Sequence, residues 1–142
     1  MTQMSRSPYR WGRRSLARLQ TCTPEIQRLL TEALHHPDCP HDMTIVYGHR
    51  THEEQAALYA KGRTAPGPRV TNARPGQSRH NSWPSEAVDV VPYVDGAPSW
   101  EWHHINPCAD HIKRIASELG IEIEWGGDWR MRDGAHWQEP RK

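Results

Sequence analysis

The 142-residue chain has no phenylalanine, only three cysteines and no long apolar run. Without Phe, the bulk of any core falls to Leu, Ile and Val and to seven Trp and four Tyr, whose ring N–H and O–H groups need partners when buried. Cys22, Cys39 and Cys108 are odd in number and share no CxxC spacing, so they read as free thiols rather than a disulfide framework. No stretch supplies the roughly 7 to 15 apolar residues of a secretory signal or the ~20 of a membrane span. The expectation is synthesis in the cytoplasm and no membrane insertion. A formal charge of +1 gives no global attraction to polyanions, so no nucleic-acid partner is expected. The first twenty residues hold five Arg and no acid. They read as a solvated segment leading into the first helix, with residues 1–12 as an arm.

What is present is strong local punctuation. In "TCTPEIQRLLTEALHH", Thr23 is an N-cap, Pro24 takes the first helical position, and Ile26, Leu29, Leu30, Ala33 and Leu34 form one apolar stripe. "MTIVYGHR" reads as a β-branched strand ending at Gly48. "RTHEEQAALYAKGR" then carries a Thr51/Glu54 capping box and a Gly62 stop. Residues 64–77 are rich in Pro, Gly, Asn and Thr without a period and form a long loop. "EAVDVVPY" is a strand closed by Pro92, and "NPCADHIKRIASELG" is a helix capped by Asn106 and Pro107. "IEIEWGGDW" and "GAHWQ" complete the set as short strands. The fold class predicted is α+β, one domain over 1–142: a small, largely antiparallel sheet covered by about three helices.

The chemistry centres on Asp89, a carboxylate amid Ala87, Val88, Val90 and Val91. A lone charge in a strand packed on both faces must be paired, hydrogen-bonded, bound to a cation or protonated. An Arg partner or backbone N–H groups would satisfy it. So would a metal, because His80 precedes it by nine residues and a second imidazole, His136, follows Asp133 near the C-terminus. Two imidazoles and one carboxylate make a three-ligand zinc set whose fourth position is left for water. Asp133 is then spare for proton transfer. Ten histidines allow many such triangles. His35, His36, Cys39 and His41 could hold a second metal, although their spacing fits no closed zinc module.

"SRHNSWPSEAVDVVP" followed by "EWGGDWRMRDGAHWQ" resembles the paired signature of zinc peptidoglycan peptidases. These include D-alanyl-D-alanine carboxypeptidases and dipeptidases, and phage endolysins that cleave the L-alanyl-D-glutamate bond. "GHRTHEEQAALYAKGRT" and "TNARPGQS" are similar to the segments phage members carry before their first metal ligand, so the resemblance spans residues 13 to 138. One interval departs: "NSWPSEAV" is longer than the Gly-containing segment of many relatives.

The resemblance implies that His80, Asp89 and His136 are ligands of one Zn²⁺ ion with bound water. It implies that Asp133 acts as general base and then acid, and that Arg50 is the cation stabilising the oxyanion. Ser78 and Gln55 match positions near substrate, with a loop cap for Ser78 and a solvated helix face for Gln55 open on the residues alone. His103 and His104 in a loop and His111 on a helix lie outside the matched motifs. Trp125 and Trp137 are expected in the core, and together with Trp129 could line a groove.

The function implied is a zinc metallopeptidase cutting the stem peptide of peptidoglycan at L-Ala–D-Glu, acting as a phage or prophage endolysin. It would be a monomer, released to the wall or periplasm by a separate pore-forming protein, with no wall-binding domain. The alternatives are a D-Ala-D-Ala carboxypeptidase or dipeptidase using the same metal site, and a non-catalytic zinc-dependent binding or virion structural module. The presence of Asp133 counts against the last.

Overall fold

In the computed structural model, residues 6–140 are described. Four helices and nine segments in all follow the order α1 (Arg13–Leu19), α2 (Pro24–His35), β1 (Asp42–Tyr47), α3 (His52–Ala60), β2 (Ala87–Val94), β3 (Ala97–Pro98), α4 (Trp102–Leu119), β4 (Glu124–Trp125) and β5 (His136–Gln138). The five strands form one antiparallel sheet in the order β1-β2-β5-β4, with β3 paired to the end of β2.

The two faces of this sheet separate core from chemistry. Val88 and Val90 of β2, Ile45 and Met43 of β1, Trp137 of β5 and Trp125 of β4 join the apolar stripes of α2 and α4 in one buried cluster. Trp125 and Trp137 stack at 5.8 Å, so both are core residues as expected. Because successive strand residues point to opposite faces, Asp89, His136 and Gln138 are turned away from that cluster.

The free edge of β1 is sealed by α1, a helix absent from the three-helix expectation. Ser15 Oγ accepts the Ile45 N–H at 3.0 Å, and Arg18 donates to the Ile45 carbonyl at 2.9 Å. Side chains thus take the place of a neighbouring strand. The segment before α1 also differs from expectation, and residues 1–5 of the expected arm lie outside the described residues. Ser7 is buried, with its N–H on the His35 carbonyl at 3.0 Å and its hydroxyl on Leu34, and Tyr9 and Trp11 pack against the core.

Three further boundaries differ. α4 begins at Trp102, so Pro107 lies inside the helix and His103 and His104 are helical rather than in a loop. The stripe wins over the proline because buried Ile105 continues the spacing of Cys108, Ala109 and Ile112. Strand β2 runs through Pro92 to Val94. The Pro92 carbonyl accepts from Ser99, and in an antiparallel strand a residue's N and C=O face the same side, so the missing N–H costs no bond to β1. Of "IEIEWGGDW" only Glu124–Trp125 is strand, since Gly126–Asp128 turn as a 3-10 segment.

All three cysteines are free and buried. Burial pushes the thiols up from 9.0, to about 12 for Cys22 and Cys108 and about 11 for Cys39. A pKa raised on folding gives stability that is complete below the unfolded value and lost as pH rises through the folded one. The native protein should therefore leave its thiols unreacted toward a disulfide reagent at pH 8 and release all three in denaturant. Its melting temperature should fall between pH 9 and 12; a rapidly titrating native thiol would contradict this packing.

Candidate metal centre

Sheet register assembles the site before any loop contributes. Asp89 pairs directly with His136 on one side and with Tyr47 on the other, giving a row of three side chains across β1, β2 and β5. His80 joins from outside the sheet, on a 3-10 turn of residues Arg79–Asn81. That turn is fixed by Ser78, whose hydroxyl accepts the His80 N–H at 3.1 Å, and by the His80 carbonyl, which accepts the Arg50 N–H at 2.8 Å. Ser78 thus caps this turn.

The interval "NSWPSEAV" brings the chain from that turn to β2. The Ser82 hydroxyl donates to the Arg79 carbonyl at 3.0 Å and accepts the Glu86 N–H at 3.0 Å. Ser85 is threaded beside Cys22, with its N–H on Thr21 and its carbonyl accepting from Thr23. The extra length is thus spent docking onto the start of α2.

His80 Nε2 and His136 Nδ1 each lie 3.2 Å from the same oxygen, Asp89 Oδ1. The outer nitrogens are anchored: His80 Nδ1 to the Gly48 carbonyl at 2.8 Å, and His136 Nε2 to Gln138 Oε1 at 2.8 Å. Both anchors are acceptors, so each outer nitrogen donates and the inner one presents a lone pair in the neutral ring. Two lone pairs and a carboxylate oxygen then face one another in a buried place, an arrangement that a cation satisfies. These three residues form the one cluster of this kind among the described residues, with ligand atoms within 4.8 Å of one another. The donor set fits a zinc ion: two imidazoles and one carboxylate, with second-sphere partners on both rings.

The closeness of the three groups also couples their protonation. Burial opposes the charge on Asp89, but the adjacent His80 and His136 hold its carboxyl well below the usual range. Burial also works against a charged His136, and Asp89 overcomes it, raising that ring's proton affinity. Asp133 sits in the exposed segment before β5 and is pushed above its ordinary value by surrounding protein and by the Asp89 charge. Its backbone N–H is clamped to the Gly126 carbonyl at 2.9 Å, and its carbonyl accepts the His136 N–H at 3.2 Å, so Asp133 and His136 share one turn. A Cβ on Gly126 would collide with the Asp133 carbonyl.

Arg50 is buried against Asp89 Oδ2 at 3.4 Å and over the Tyr47 ring at 4.2 Å. Gln55 receives a 2.8 Å bond from it and donates to the Ala73 carbonyl at 2.7 Å. Gln55 is fully buried, which corrects the expectation of a solvated helix face. It ties Arg50 to the loop of residues 71–73. Gln138, Gly48 and Tyr47 escaped the reading of the sequence. For Gln138 the signal was there, since a residue two beyond His136 on a strand shares its face.

The other histidines stand apart. His111 bonds the Ala33 carbonyl, His104 bonds Ser99, and Cys39 bonds the His41 carbonyl. Trp129, in contrast, lies 5.0 Å from the His136 ring.

Fold and centre together define a small α+β protein with a His–Asp–His cluster on the open face of its sheet. Residues 7–142 match the family model described as phage L-alanyl-D-glutamate peptidase, and the chain belongs to that family. It is 29% identical over 129 residues to the L-alanyl-D-glutamate peptidase of Escherichia phage T5, covering 90% of this chain and 87% of that one. It is 36% identical over 100 residues to the peptidoglycan L-alanyl-D-glutamate endopeptidase CwlK of Bacillus subtilis, covering 67% of this chain and 59% of CwlK. The crystal structure of the Serratia marcescens L-Ala D-Glu endopeptidase ChiX superposes with a TM-score of 0.72 at 28% identity, over 92% of this chain and 90% of ChiX.

Gln55 provides a direct check on the site's construction. Gln55→Leu removes the acceptor of the buried Arg50 Nη1 and should cost about 1–3 kcal/mol in urea unfolding. An unchanged midpoint would mean that the side chain is solvated after all.

Proposed function

We propose that the chain is a zinc-dependent peptidase that hydrolyses the L-Ala–D-Glu bond in the stem peptide of bacterial peptidoglycan. The observation that carries this reading is the convergence of His80 Nε2 and His136 Nδ1 on Asp89 Oδ1, in a member of a family described by that activity. His80, Asp89 and His136 would hold the ion, and the Gly48 carbonyl and Gln138 keep both rings aimed. Bound zinc supplies Lewis acidity, making water a nucleophile near neutral pH and polarising the scissile carbonyl.

The remaining steps belong to the chain. Asp133 takes the proton of the attacking water and delivers it to the leaving amine of D-Glu; its raised proton affinity suits a group that must both accept and donate. Arg50, held by Gln55 and Tyr47, places fixed positive charge beside the cluster where the carbonyl oxygen gains negative charge. Ser78 and Gln55 act as positioning residues. In this reading 1–142 is one peptidase domain working as a monomer in phage or prophage lysis, with a separate pore-forming protein giving it access to the wall. No helix among the described residues is long and apolar enough to cross a membrane.

Digestion of purified peptidoglycan should yield new N-terminal D-Glu by mass spectrometry. Release of free D-Ala without it would replace this reading with a carboxypeptidase. Chelation should abolish the activity and Zn²⁺ restore it, and full turnover in verified metal-free protein would remove the metal from the mechanism. Asp133→Ala should lower kcat by about 10²- to 10⁴-fold while keeping its zinc, whereas His80→Ala should lose zinc and activity together. Equal zinc loss in both variants would make Asp133 a ligand.

A further inference from the structure

Three consecutive residues on the turn that carries Asp133 are bonded, in reverse order, to three consecutive residues at the end of β4. Arg132 Nε donates to the Gly127 carbonyl at 3.0 Å, the Asp133 N–H to the Gly126 carbonyl at 2.9 Å, and Trp125 Nε1 to the Gly134 carbonyl at 2.9 Å. The strands themselves pair in another register, Trp125 with Trp137 and Glu124 with Gln138. Between the two patterns lie Ala135, whose carbonyl accepts from Val90, and His136, paired with Asp89. The metal ligand is thus placed by β2, whereas the neighbouring Asp133 is placed by the end of β4.

The arginine of this turn is held in its own right. Its guanidinium lies over the Trp102 ring, 3.8 Å from the centre. The same ring covers Gly134, where a Cβ would run into it, and meets Trp125 edge-on at 6.4 Å. Trp125 in turn leaves no room for a Cβ on Gly127, the acceptor of the Arg132 bond. Trp102 therefore touches both chain neighbours of Asp133. It can do so because α4 starts there, ahead of Pro107. Arg132 is engaged by an aromatic face and a carbonyl rather than by a carboxylate, a use of its planar fork in which charge is secondary.

We propose that Trp102 and Arg132 are positioning residues that fix the Asp133 carboxylate relative to the metal cluster. This role rests on the reading of Asp133 as the base. Proton transfer depends on placement, and a misplacement of about 1 Å can cost on the order of 10²-fold in rate.

Hydrogen exchange followed by NMR in the zinc-loaded protein tests the turn without a substrate. In Trp102→Ala and Arg132→Ala the Asp133 N–H and the Trp125 indole N–H should exchange at least about tenfold faster, while amides of β2 keep their protection and the zinc content is unchanged. Trp102→Phe, which keeps a ring over Arg132 and Gly134, should restore most of the protection. In turnover, both alanine variants should lose about 10- to 100-fold in kcat with KM nearly unchanged. Added to Asp133→Ala, Trp102→Ala should lower the residual rate by less than about twofold, because it acts through the group already removed. Melting curves report whether each variant is folded, and Arg132→Ala, a truncation of an exposed side chain, decides the matter if Trp102→Ala does not fold. Unchanged exchange at Asp133 in a folded variant would overturn the role. So would a further full loss of kcat on adding Trp102→Ala to Asp133→Ala, or a raised KM with kcat intact in Arg132→Ala, which would make Arg132 a substrate contact. If no L-Ala–D-Glu hydrolysis is found, the exchange result still stands or falls alone, and a failed exchange test leaves that hydrolysis standing.

Discussion

The structure depends on one carboxylate kept charged in the middle of its central strand. Asp89 meets His80 and His136 through one oxygen and Arg50 through the other. Each partner comes from a different part of the chain, so a single buried charge fixes the relative positions of β1, the 3-10 turn, β2 and β5. Such a charge is costly if a partner is lost. The surrounding bonds reflect this: the Gly48 carbonyl, Gln138, Gln55 and Tyr47 each restrain a partner of Asp89 rather than Asp89 itself.

Support from outside the sheet follows the same logic. The Thr21 hydroxyl accepts the His49 N–H at 2.7 Å, and a Cβ on Gly48 would run into the Arg18 carbonyl and Thr21. The backbone that orients His80 is thereby pressed against the end of α1. The turn that carries Asp133 is pressed against Gly126 in the same way. Both close approaches occur at glycines where backbone must meet backbone.

Much of this was legible in the sequence, for identifiable reasons. The α2 stripe, the α3 capping box and the Asp89 strand are local patterns, and local patterns survive folding when tertiary contacts agree with them. The cluster residues could be named because a carboxylate among valines demands a partner and because the flanking motifs resemble a family. What misled was punctuation overridden by packing. Pro107 and Pro92 look like boundaries, but Ile105 extends one stripe past the first, and the second turns its nitrogen away from β1. The role of Gln55 was hidden because nothing in "HEEQAALYA" marks which polar side chain faces inward; only the position of Arg50 decides it.

The sealing of β1 by Ser15 and Arg18 has a consequence for how an extended ligand can be read. Many proteins hold a peptide by letting it join a sheet as one more strand, trading main-chain bonds residue by residue. Here Ile45 on the outer strand already has its N–H and C=O taken by a helix, so that edge offers no such template there. A chain containing D-residues and a side-chain amide linkage has the wrong spacing and handedness for strand addition in any case. At Ile45 an ordinary L-peptide therefore finds no strand to join, while the His–Asp–His cluster lies on the face of the sheet, away from that edge.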